Sequence, residues 1–147
     1  MQSGKIRTIV LGIFQHDGRL LVFEGYDQAD GLNFYRPLGG GIEFGEYGDQ
    51  ALVREMREEI GAEVANTRYV ATIQNIFTHE GRMGHEIALL YAADFADPAL
   101  YAREVFPLAN DNGEPIKVLW KPLADFEAGA LLVPTGLLEM LRHGRTA

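Results

Sequence analysis

The sequence predicts an α+β fold in which one long amphipathic helix packs against a mixed β-sheet. Three observations carry that expectation. Apolar runs rich in β-branched and aromatic residues stand on both sides of a single strongly helical stretch, so the order reads strands, helix, strands, short helix. An apolar content of 47% over 147 residues suffices for one sizeable core, so residues 1–147 are read as a single domain. No internal repeat or low-complexity tract divides the chain.

Taken in order, "IRTIVLGIF" and "RLLVFEGY" read as two strands closing on a tight turn, for which Asp17 and Gly18 supply the chemistry. "YDQADGLNF" then reads as a polar loop. From Asp49 to Ile60 the spacing is helical, with Leu52, Met56 and Ile60 four apart and Val53 beside them. Gly61 is the expected stop, and Asp49 lies where the free amides of a first turn favour negative charge. Three further extended segments follow, "RYVATIQNIF", "HEIALLYAADF" and "IKVLWKPL". The glycines of "THEGRMG" suggest a mobile loop between the first two, and "PTGLLEMLRHG" reads as a short amphipathic helix.

Composition narrows the function classes. A net charge of -8 with 13 Lys and Arg argues against a phosphate-backbone binder, so nucleic acid is not an expected partner. An acidic protein can still bind a phosphorylated small molecule when divalent cations stand between the two. With no cysteine, disulfides, thiolate zinc sites and thiol catalysis are excluded, which is compatible with a reducing cytoplasm. The apolar run from Ile9 to Phe14 is too short to span a membrane and lacks a small-residue cleavage pattern. The expectation is a soluble cytoplasmic protein without a membrane partner.

The stretch from Tyr35 to Val64 needs a different account. Three consecutive glycines, Gly39 to Gly41, cost backbone entropy, and glutamates crowd the helix that follows. At about 100° per residue, Leu52, Val53, Met56 and Ile60 fall in one arc while Glu55, Glu58 and Glu59 fall in another. Glu43 and Glu46 enter the same helix from the glycine-rich turn. Such a cluster repels itself unless cations that prefer oxygen ligands, Mg²⁺ or Mn²⁺, neutralise it.

Gly40, Glu46 and the run Arg54-Glu55-Met56-Arg57-Glu58-Glu59-Ile60-Gly61-Ala62 have the spacing of the Nudix box, G-x5-E-x7-R-E-U-x-E-E-x-G-U with U aliphatic. All seven fixed positions are met, with Ala62 the weaker of the two U positions. At ordinary residue usage a chance match at one start is on the order of one in a hundred million. The chain therefore resembles the Nudix hydrolases, and the flanking strands extend the resemblance over nearly its whole length. One departure is Leu38, where many relatives place a proline directly before the glycine pair; here Pro37 precedes it.

The resemblance implies the Nudix fold, an α/β/α sandwich with a mixed β-sheet and a loop-helix motif, and hydrolysis of a nucleoside diphosphate linked to a group X. It implies Glu55 and Glu59 as ligands of Mg²⁺ or Mn²⁺, Glu58 as a ligand directly or through water, and a backbone carbonyl of Gly39 or Gly40 nearby. Arg54 is expected to orient a glutamate through a bidentate contact. The general base is left open between Glu55 and Glu58 in the box and Glu80, Glu86, Glu104, Asp111 and Glu114 outside it. An alternative with the same fold is a nucleotide-binding or regulatory module without turnover, against which the intact glutamates argue. A third class, the isopentenyl diphosphate isomerase relatives, would be expected to use a cysteine. The partner is a small-molecule nucleotide, with a homodimer as a candidate assembly.

Substrate residues come from chemistry near the box. Arg36, with Phe34 and Tyr35, offers a cation and aromatic faces for phosphate and base. The loop from Thr78 to Glu86 carries His79, Arg82 and His85, and is expected to select X, with Arg82 and His85 meeting phosphate or sugar oxygens.

Overall fold

The computed structural model describes residues 4–104, 106 and 117–144. Eight strands form two sheets: β1 Ile6–Ile13, β2 Gln15–His16, β3 Arg19–Asp27, β4 Leu32–Arg36, β5 Gly39–Gly41, β6 Val64–His79, β7 Arg82–Phe95 and β8 Lys117–Pro122. Helix α1 spans Gly48–Ile60, α2 Leu123–Glu127 and α3 Leu137–Arg142, and a 3-10 turn covers Pro98–Ala102. The first sheet has the order β5-β1-β7-β6, with β1 parallel to β7 and the other pairs antiparallel. In the second, β3 pairs antiparallel with β2, β4 and β8.

The architecture follows from β1. Its residues are buried from Ile9 to Ile13, on both faces, which suits a central strand covered on both sides. Val10 joins a core with Leu52, Met56 and Ile60 of α1, whereas Ile9, Leu11 and Ile13 join another with Leu137 and Leu141 of α3. The sheets thus lie between helices, as an α/β/α sandwich. This also corrects the expected first hairpin. Asp17 and Gly18 do form a turn, with φ of 51° and 73°, but it joins β3 only to the two-residue β2. The chain leaves the first sheet at Phe14, whose ring stacks on Phe95 at 4.3 Å, and β1 pairs instead with β5 and β7.

Two expected loops are mostly strand. Of "YDQADGLNF", only residues 28–31 turn, because the Asp27 carboxylate accepts the Ala29 N–H at 2.8 Å and Asp30 accepts that of Leu32 at 3.1 Å. The expected mobile loop from Thr78 to Glu86 is a hairpin end: β6 and β7 pair through to His79 and Arg82 around Glu80 and Gly81, both at positive φ. Helix α1 begins one residue earlier than expected and ends as expected, with Gly61 left-handed at φ 64° and its N–H on the last carbonyls. Neither α2 nor the 3-10 turn was expected.

Candidate active site

The Gly39–Gly41 strand and the carboxylate face of α1 fit together through absent side chains. A Cβ at Gly40 would stand 2.5 Å from Glu55 Oε1, and one at Gly39 would strike the Val10 carbonyl. At Gly39 only glycine fits against the β1 backbone, and at Gly40 a side chain would displace the Glu55 carboxylate from its seat on the loop. Leu38, the departure from the usual pattern, is fully buried and its carbonyl accepts the Gly12 N–H at 2.8 Å, so it anchors the loop from below.

Arg54 ties loop to helix. Its Nε and Nη2 donate to the two oxygens of Glu46 at 2.8 and 2.9 Å, Nη2 also to the Gly41 carbonyl at 2.9 Å, and Nη1 to Glu55 at 3.0 Å and Glu58 at 3.2 Å. The bidentate contact therefore goes to Glu46, with Glu55 and Glu58 each held by one bond. The Arg54 hydrogen bonds hold Glu46 down to about 2, against an ordinary 4.5.

Glu59 is shifted the other way. Burial raises its carboxyl well above the usual carboxylate range, and the charge of Glu55 adds to this, while Arg36 opposes it. Glu55 is largely covered and Glu58 exposed, so three carboxylates of graded exposure share one side of α1. Among the described residues, no group of three or more acidic or histidine side chains already stands at metal-binding distances. Arg54 draws Glu55 and Glu58 toward the loop. The donors nevertheless fit a hard divalent cation: they are all oxygen, two are neighbours that repel when both are ionised, and the Gly40 backbone lies close beside Glu55.

A cavity of about 330 Å³ opens between the two sheets. Ile9, Leu11, Asn75, Phe77, His79, Glu86 and Ala88 face it from the first sheet; Phe23, Asp27, Phe34 and Arg36 face it from the second. Strand alternation sorts the expected substrate residues here. Phe34 and Arg36 point into the cavity, whereas Tyr35 points away, its hydroxyl donating to Glu24 at 3.0 Å and its ring lying against Phe126. Arg82 and His85 lie outside this cavity, along a more open hollow with Lys5 and Arg7. His79 does line it, edge-on to Phe34 at 5.5 Å.

Arg36 links cavity and carboxylates. Its guanidinium lies 4.8 Å from the Phe23 ring centroid, its Nε is buried without a hydrogen-bond partner among the described residues, and the charges of Glu86, Glu59 and Glu55 act on it. A buried guanidinium with an unused donor is costly in isolation and suits an anionic ligand. Of the other candidate bases, Glu86 is buried in the cavity wall, Glu80 sits on the β6–β7 turn, Glu104 is exposed, and Asp111 and Glu114 lie outside the described residues.

Sequence reasoning missed the cavity residues Asp27, Asn75 and Phe77. The signal was the alternation Asn75, Phe77, His79, which assigns one face of a strand once β6 is known to reach the turn.

The family model described as NUDIX domain matches residues 5–140. Over 70 residues the chain is 39% identical to the CTP pyrophosphohydrolase of Escherichia coli (strain K12), covering 48% of this chain and 52% of that protein. Over 50 residues it is 44% identical to the NAD-capped RNA hydrolase NudC of Pseudomonas aeruginosa, covering 34% of this chain and 18% of that protein. The matches thus span about half of the first relative's length and less of the second. Among solved structures, the E. coli ORF135 protein superposes with a TM-score of 0.63 at 29% identity, covering 97% of this chain and 93% of that one. A MutT NUDIX hydrolase from Burkholderia pseudomallei gives a TM-score of 0.61 at 20% identity over 92% and 95% of the two chains, and supports the fold alone.

Proposed function

Because the chain belongs to the NUDIX domain family, we propose that it is a metal-dependent hydrolase that cleaves the diphosphate linkage of a nucleoside diphosphate joined to a group X. The observation that carries this reading is the seating of Glu55 against Gly40, with Arg54 clasping the loop to the helix beside Glu58 and Glu59. Glu55 and Glu59 would hold Mg²⁺ or Mn²⁺, Glu58 directly or through water, with a carbonyl of Gly39 or Gly40 as an added oxygen. Bound there, the cation supplies charge stabilisation for phosphoryl oxygens and acidifies water.

The protein's own groups do the remaining work. Arg54 positions Glu55 and Glu58 and fixes the loop, so little reorganisation is left for the reaction. Arg36, with its unused buried donor, takes a phosphate oxygen where the cavity meets the carboxylates. The cavity's rings, Phe23, Phe34 and Phe77, take the flat base, and its volume is at the small end of ligand pockets. Incubation with Mg²⁺ and a panel of nucleoside triphosphates and nucleoside diphosphates carrying other X groups, with mononucleotide and second product separated by chromatography, tests this. Cleavage of a P–O bond of the P–O–P bridge, with water adding to that phosphorus, is expected; binding of nucleotides with no cleavage of any would make the protein a nucleotide-binding module instead.

A further inference from the structure

One polar rung crosses the apolar floor of the cavity. Arg7 stands beside Glu86 in the parallel pairing of β1 with β7, and Glu86 stands opposite Asn75 in the antiparallel pairing of β7 with β6. The rung on one side carries Ile9, Ala88 and Ile73, and on the other Gly84 is matched with Phe77. Opposed residues on a sheet face have Cβ atoms about 4.5–5.5 Å apart, so the Asn75 amide and the Glu86 carboxylate lie side by side facing the same space.

Glu86 is only 7% exposed; among the described residues its ion pair is with Arg7 at 3.4 Å, a long contact from a side chain that is itself mostly in solvent, and the Arg36 guanidinium acts on it by charge alone. The Asn75 side chain makes no hydrogen bond among the described residues. A buried carboxylate costs free energy until donors reach it, and it can only accept. An amide beside it can donate. With the Asn75 amide turned to donate, the edge that satisfies both is an N–H₂ group next to an acceptor nitrogen, carried on a flat ring that fits between Phe34 and Phe77.

We propose that Glu86 and Asn75 read the base, selecting nucleotides whose base presents an exocyclic amine beside an unprotonated ring nitrogen, as cytosine and adenine do. This rests on the nucleotide-hydrolase reading above. Uracil and hypoxanthine have nearly the same shapes but set a carbonyl against the carboxylate and an N–H against the amide. Two acceptors then face each other in a site from which water is largely excluded, and discrimination of this kind is worth tenfold or more.

Calorimetric titration of the protein in chelator with CMP, dCMP, UMP, AMP and IMP tests the rung without requiring turnover, and turnover of the corresponding triphosphates with Mg²⁺ is measured beside it. The wild type is expected to bind CMP over UMP, and AMP over IMP, by about tenfold or more. Glu86→Gln, whose terminal amide can turn a donor toward a carbonyl, should bring both ratios to within about threefold. Asn75→Leu should reduce the same ratios and guards against misfolding of the first variant. Equal wild-type affinities, no mononucleotide binding, or ratios unchanged in both variants would overturn the proposal. So would a change confined to the CMP-to-dCMP ratio, which would put Glu86 on the sugar. A uniform fall in turnover of all triphosphates with the binding ratios intact would likewise overturn it, assigning Glu86 to the chemistry. If the ratios hold and no nucleotide is hydrolysed, the rung stands and the hydrolase reading falls.

Discussion

At Gly40 the absence of a side chain is what seats the Glu55 carboxylate against the loop. A Cβ there would lie 2.5 Å from Glu55 Oε1, so Gly40→Ala must push the carboxylate off the loop while the core, which contains no part of Gly40, keeps its packing. Turnover should fall at least tenfold with unfolding cooperativity intact, measured by steady-state kinetics beside thermal melting. Glu46 makes a second residue-level prediction, through pH. Its folded carboxyl is held at about 2 against an ordinary 4.5, so the unfolded chain binds the proton first as pH falls. The stability it contributes is fully present above about 4.5 and gone below about 2. Glu46→Gln should therefore lower stability at neutral pH and flatten its loss between those two values. An unchanged acid limb in urea titrations would contradict the clasp.

Among elements, α1 was legible because its signals agree: apolar spacing of four, an acidic first turn and a glycine stop point to one helix, whose glutamates the helical period sets on a side away from the core. The two hairpins were not. Glycines at 31 and 81 read as loop because a turn residue looks the same in a tight hairpin turn and in a longer loop. Register decides between them, and register depends on the partner strand. Asp27 illustrates this, since its buried carboxylate accepts the Glu80 N–H at 3.1 and 3.2 Å from 53 residues away and pins the β6–β7 turn to the β3–β4 turn. The position of Tyr35, turned away from Phe34 and Arg36, was fixed by alternation once β4 existed. Asp27→Asn should speed amide exchange at Glu80 and Gly81 while leaving α1 protected, because the change is local to the hairpin ends. Equal loosening of α1 in the same exchange experiment would show that the hairpins and helix unfold together.

For the molecule as a whole, the two cores and the cavity place an acidic helix face, a buried guanidinium and an aromatic cleft along one path. No helix among the described residues is long and apolar enough to cross a membrane. In a chain of net charge -8, Glu55 and Glu59 face each other at a cost that a bound cation removes. Mg²⁺ or Mn²⁺ should therefore raise the melting temperature by mass action, and excess chelator should reverse the rise. Magnesium-independent melting would argue against a site there. The most direct test of the central claim compares wild type and Glu59→Gln in hydrolysing a nucleoside triphosphate, each with Mg²⁺ and with excess chelator. The variant loses one charged oxygen ligand at a half-buried position outside the core. The expected result is wild-type cleavage that needs Mg²⁺ and a fall of orders of magnitude in the folded variant. Full activity of Glu59→Gln, or of the wild type in chelator, would contradict a metal-dependent hydrolase built on this helix.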